Sequence, residues 1–162
     1  MKVVPVALNT FRESVRDRIL YNLIFFVLLL VGASVMLGEL SLSQESKIIV
    51  DIGLSAMRVI GVLIAIFIGI GLVYKEIDKR TIYSLLAKPL TRAEFILGKY
   101  FGLCLTLLVN TLVMALAIAL ALVYVNRGAD ATALKVLPAA YLIFLELMVM
   151  TAVALLFSSF SS

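Results

Sequence analysis

The chain has no histidine, no tryptophan, a single cysteine and few charges. Without histidine, imidazole metal ligation and the commonest general-base chemistry are excluded. Cys104 stands alone in an apolar stretch, so no intrachain disulfide can form and its role is packing. Charged residues make up only 15% and hydrophobic residues reach 64%, with a mean hydropathy of +1.17. Soluble domains hold about 45–50% apolar residues. A water-soluble fold is therefore excluded, and an all-α integral membrane protein is expected.

About 20 apolar residues are needed to cross about 30 Å of hydrocarbon at about 1.5 Å per residue. Four stretches meet that length: 19–37, 53–74, 96–125 and 137–160. The charged leader before the first stretch is long and patterned, unlike a cleaved signal. Basic residues set the orientation. Lys2, Arg12, Arg16 and Arg18 lie in the leader, and Lys75, Lys79, Arg80, Lys88, Arg92 and Lys99 follow the second stretch. The loops at 38–52 and 126–136 carry only Lys47, Arg127 and Lys135. By the positive-inside rule, the leader and the segment 75–95 face the cytoplasm. The net charge of +4 thus expresses topology and gives no reason to expect nucleic acid as a partner.

Residues 1–18 read as an amphipathic helix in the membrane interface. Val4, Leu8, Phe11 and Val15 share one face, opposite Asn9, Glu13 and Asp17. A plain cytoplasmic extension of the first span has the same periodicity. Small residues recur at intervals of four in the second span (Gly61, Ala65, Gly69) and the third (Gly98, Gly102, Thr106, Asn110). Such ridges let helices approach closely and leave Thr and Asn free to bond across the contact.

Two ionisable residues lie inside spans, Arg58 and Glu146, and Asn110 reaches a similar depth. Each charge costs about 2.5–3.5 kcal/mol if left bare at the bilayer centre, which makes pairing the least costly arrangement. The three side chains are therefore expected to meet. They would act either as a polar clasp between helices or as the lining of a substrate path.

The segment 75–99, KEIDKRTIYSLLAKPLTRAEFILGK, reads as a shaped elbow. Ile82, Leu85 and Leu86 have helical spacing, and Pro89 ends that helix. Thr91 and Glu94 then form a capping box, with Leu90 and Phe95 as a hydrophobic staple, so a new helix starts at once. The nearest approach to a phosphate loop, AEFILGKY at 93–100, lacks the first glycine, the hydroxyl after the lysine and the preceding strand. The chain hydrolyses no nucleotide by this reading, and it is expected to need no cofactor of its own.

The leader ALNTFRESVRDR (7–18), the run 74–99, and LEL (145–147) followed by ALLFSSFSS (154–162) resemble the membrane subunit of a type II ABC exporter. The resemblance is closest to permeases grouped with multicopper enzyme maturation. It implies the first part of a six-span ABC exporter permease fold, here an interfacial helix plus four transmembrane helices in one domain, with further spans beyond the fourth. It also implies a prokaryotic cytoplasmic membrane, a cytoplasmic ABC ATPase subunit as partner, and a second permease copy or a paralogue. The elbow then corresponds to the coupling helix that docks on the ATPase. Carried over by position, it spans residues 76–89, with Glu76, Thr81, Ile82, Tyr83, Leu85 and Leu86 in contact and Lys99 closing the elbow at the membrane surface. Relatives often have Gly-Thr where this chain has Arg80-Thr81.

The alternative is a non-transporting four-helix scaffold or small pore. An intramembrane enzyme lacks any nucleophile and base that could be named. The substrate is not readable, and the six methionines form no evident metal-ligand set.

Overall fold

A computed structural model describes residues 3–16, 18–38, 45–78, 92–126 and 131–160. Among them it forms five helices: α1 (Val3–Arg16), α2 (Arg18–Gly38), α3 (Glu45–Asp78), α4 (Arg92–Val125) and α5 (Ala131–Phe160). Three are long and apolar enough to cross a membrane, over Ser46–Phe67, Ile96–Val125 and Leu134–Phe157. A shorter apolar stretch, Leu23–Met36, lies in α2.

The bundle is apolar on its surface as well as in its core, and a few small polar side chains are buried. Phe25, Phe67, Leu116, Leu142 and Phe157 are exposed, while Ser34, Thr106, Asn110, Thr111 and Thr151 are buried. In water this surface would be a large aggregation hazard, whereas in hydrocarbon it is the face that lipid accepts. Apart from Ser14 Oγ, which has no partner among the described residues, buried hydroxyls bond locally. Ser34 donates to Leu30 O at 2.8 Å, Thr106 to Gly102 O at 3.0 Å and Thr151 to Leu147 O at 2.7 Å. Each bond runs back one turn within its own helix. The cross-helix bonding expected of Thr106 is therefore absent, because the i−4 carbonyl is always within reach of a helical Thr hydroxyl.

Helix α3 packs on α2, α4 and α5, and α4 also packs on α1, α2 and α5. Close approach is set by glycines. A Cβ at Gly61 would stand 2.5 Å from Leu147 Cδ1, and one at Gly53 would stand 2.9 Å from Ile118. Around these contacts Met57, Ile64, Leu107, Met114, Ile118 and Leu147 fill the fully buried core.

Two helix boundaries differ from the sequence reading. Helix α3 begins at Glu45, within the expected 38–52 loop, and α5 begins at Ala131, within the expected 126–136 loop. The apolar run marks where hydrocarbon can begin, and a helix can continue past that point with polar residues. Pro138 lies inside α5. At 34 residues each, α3 and α4 are about 51 Å long, some 20 Å more than the hydrocarbon requires. The start of α3 and the residue after α4 are joined, with Ser46 Oγ donating to Asn126 Oδ1 at 2.6 Å.

Candidate functional site: the Arg58–Glu146 ion pair and the α1–α4 seam

Arg58 on α3 and Glu146 on α5 form an ion pair at 2.7 Å. Nη2 and Nε of the guanidinium both donate to the same oxygen, Oε1, at 2.7 and 2.9 Å. The pair is on the outside of the bundle, with side-chain exposures of 62% and 36%. It sits above the Gly61–Leu147 contact, which brings α3 and α5 close enough for the two side chains to reach each other.

Asn110 does not join them. It is fully buried, and its amide donates to Met114 Sδ at 3.8 Å, one turn along its own helix. Its carbonyl oxygen Oδ1 has no partner among the described residues. The expected three-residue cluster is thus a pair plus a separate buried amide. Equal depth along the helices brings groups together only where their faces also point at one another.

Asp51 and Ser55 are exposed on the α3 face that carries Arg58, and Lys47 extends the same stripe toward the start of α3. They border an open groove of about 420 Å³ between α2 and α3, whose other walls include Phe26, Leu30 and Val59. Among the described residues no three His, Cys, Asp or Glu side chains come together to hold a metal ion.

Near the start of α4, α1 packs against it. A Cβ at Gly102 would lie 2.6 Å from the Ala7 carbonyl oxygen and 2.7 Å from Thr10 Cβ, so only glycine admits this approach. Thr10 and Ser14 are buried on the packing face of α1, while Val4 and Leu8 remain exposed. At 3.6 residues per turn, the packing face and the apolar face are about a quarter turn apart. Helix α1 therefore has three faces: one for α4, one apolar, and one charged with Arg12 and Glu13 exposed. Sequence periodicity draws attention to the large apolar residues and misses the small packing face. The spacing Ala7, Thr10, Ser14 was the available signal.

The elbow residues Thr81, Ile82, Tyr83, Leu85 and Leu86 lie outside the described residues. Glu76 belongs to the last turns of α3, and its side chain is likewise outside the description. Helix α4 begins at Arg92 with Glu94 in its first turn, one residue after the expected cap at Thr91, which is itself outside the described residues. Lys99 is buried near the start of α4, only 4% exposed.

No curated protein matches this chain. The family described as ABC-2 family transporter protein matches over residues 4–162, nearly the whole sequence and all five described helices. The chain belongs to the ABC-2 family of transporter membrane proteins.

Proposed function

We propose that this chain is the membrane-spanning permease subunit of an ATP-binding cassette exporter in a prokaryotic cytoplasmic membrane. It moves its substrate with ATP hydrolysed by a separate subunit, and it works beside a second permease copy or a paralogue. In this reading α2 crosses as the first span, α1 lies at the cytoplasmic surface with Val4 and Leu8 in the interface, and the chain from 75 to 95 faces the cytoplasm.

The observation that carries the reading is the place of the elbow in the chain. Residues 79–91 connect α3 and α4, two helices of about 51 Å whose outer ends are tied by the Ser46–Asn126 hydrogen bond. A load applied between their inner ends is passed along two packed helices that this bond helps to hold together at the far side. The glycine contacts at 53 and 61 pass it on to α4 and α5. An ATPase gripping Thr81, Ile82, Tyr83, Leu85 and Leu86 would move the bundle through this linkage. Such an apolar contact is a hot-spot type of interface, in which one charge at its centre is costly.

The test is copurification of the tagged chain with its ATPase from native membranes. Leu85→Asp should abolish it while leaving the yield and melting temperature of the membrane subunit unchanged. Full copurification with Leu85→Asp would remove the docking assignment.

A further inference from the structure

We propose that Asn110 is a release point built into the core of the bundle. Its amide is so poorly accommodated in this packing that α4 parts from its neighbours, and admits water, more readily than an apolar side chain at 110 would allow. Its purpose rests on the reading of this chain as a transport subunit, in which it marks where the closed bundle yields.

Asn110 has no exposure at all, and Leu107 and Met114, one turn to either side on α4, are almost as buried. An amide side chain can donate two hydrogen bonds and accept two more. Here one N–H reaches Met114 Sδ at 3.8 Å, a thioether and therefore a weak acceptor. Oδ1 has no partner among the described residues. The buried threonines are placed differently: Thr106, Thr111 and Thr151 each donate to a carbonyl of their own helix, at 3.0, 2.9 and 2.7 Å. Water does not relieve the amide within this packing. A gap large enough for a water molecule beside the side chain would leave part of it accessible, and none of it is.

A dry, unpaired acceptor weakens the closed arrangement by the hydration it has lost, and that penalty disappears once water or another donor can reach it. Asparagine and leucine share the same branching and the same number of side-chain heavy atoms. At 110 the difference between them is therefore chemical, with leucine favouring the closed core and the amide favouring its opening. The helix concerned is central, since α4 packs on α1, α2, α3 and α5. Loosening along α4 reaches each of the other described helices, and elements that move in a protein's working cycle are drawn from its less stable parts.

Cys104 reports the opening. It is the chain's single cysteine, it is buried, and it lies about 9 Å from Asn110 along α4. A maleimide attacks the thiolate, which forms readily only in contact with water. The test is the rate at which N-ethylmaleimide alkylates Cys104 in native membranes, followed by mass spectrometry in the wild type, Asn110→Leu, Asn110→Val and Thr111→Val. Removing the amide should slow alkylation by about fivefold or more, as expected when an unsatisfied buried acceptor is removed. Thr111→Val removes a hydroxyl already bonded to its own helix and should change the rate by less than about twofold.

Asn110→Val has the smaller side chain and decides the matter if Asn110→Leu does not accumulate. Alkylation at the wild-type rate or faster in Asn110→Val, and in Asn110→Leu where it accumulates, would overturn the release point, the amide then holding the bundle together. Equal slowing by Thr111→Val would also overturn it, because the effect would not belong to the unpaired acceptor. Neither result touches the docking of an ATPase, which copurification tests separately.

Discussion

Two seams of this bundle are closed by the same device and end differently. Where α1 meets α4, Gly102 admits the backbone of Ala7 and the side chain of Thr10. Where α3 meets α5, Gly61 admits Leu147. The first seam is closed by shape alone and buries its polar groups, Thr10 and Ser14. The second is closed by shape at Leu147 and by charge at Arg58 and Glu146, and the charges are left on the outer surface. The small-residue seam is not fully satisfied, since Ser14 Oγ is buried without a partner among the described residues. The seam topped by an ion pair instead leaves its polar groups paired and exposed.

The largest effect is expected at the seam that depends on backbone. Gly102→Val would drive a side chain into the Ala7 carbonyl, which cannot move aside without moving the helix. The expected cost is about 3 kcal/mol, at the upper end for overpacking. Residues 1–18 should become cleavable by protease in the solubilised protein, whereas the wild type stays protected.

Next comes the ion pair. Glu146→Gln leaves Arg58 without a counter-charge and should lower stability by up to about 3 kcal/mol in a lipid nanodisc. Replacing both residues by methionine should recover most of that loss, because the penalty belongs to the widowed charge and not to the pair. Thermal unfolding of the single and double variants gives the comparison. A double variant as unstable as the single one would show that the pair is a true structural clasp.

The smallest of the three effects is expected at Gly61→Ala. The obstacle here is the end of the Leu147 side chain, which can shift, and alanine regains about 1 kcal/mol of helix propensity. The net loss should stay at or below about 1 kcal/mol. A Gly61→Ala variant less stable than Gly102→Val would invert the comparison between the two seams.

The long spans were legible because apolar runs of that length have few other uses. The Arg58–Glu146 contact was legible because unpaired charge in hydrocarbon is costly enough to predict its own partner. Asn110 misled because an amide can bond along its own helix, so depth alone does not say whom it meets. The stripe Gly98, Gly102, Thr106, Asn110 announced close packing, yet nothing in it named α1 as the neighbour at Gly102. The early starts of α3 and α5 were hidden because Glu45, Ser46 and Lys47 look like loop residues, although the Ser46–Asn126 bond holds them in a helical extension. The outward placement of the ion pair was also invisible, since helical phase gives a face but not what lies in front of it.

The central claim is that the elbow faces the compartment that holds ATP. Labelling with a membrane-impermeant maleimide tests it most directly, using Thr81→Cys in the elbow and Ser43→Cys between α2 and α3, in intact cells and in inside-out vesicles. The account predicts that Thr81→Cys reacts only in inside-out vesicles and Ser43→Cys only in intact cells. Reaction of Thr81→Cys in intact cells would place the elbow outside, beyond the reach of any cytoplasmic ATPase, and would contradict the permease mechanism proposed for this chain.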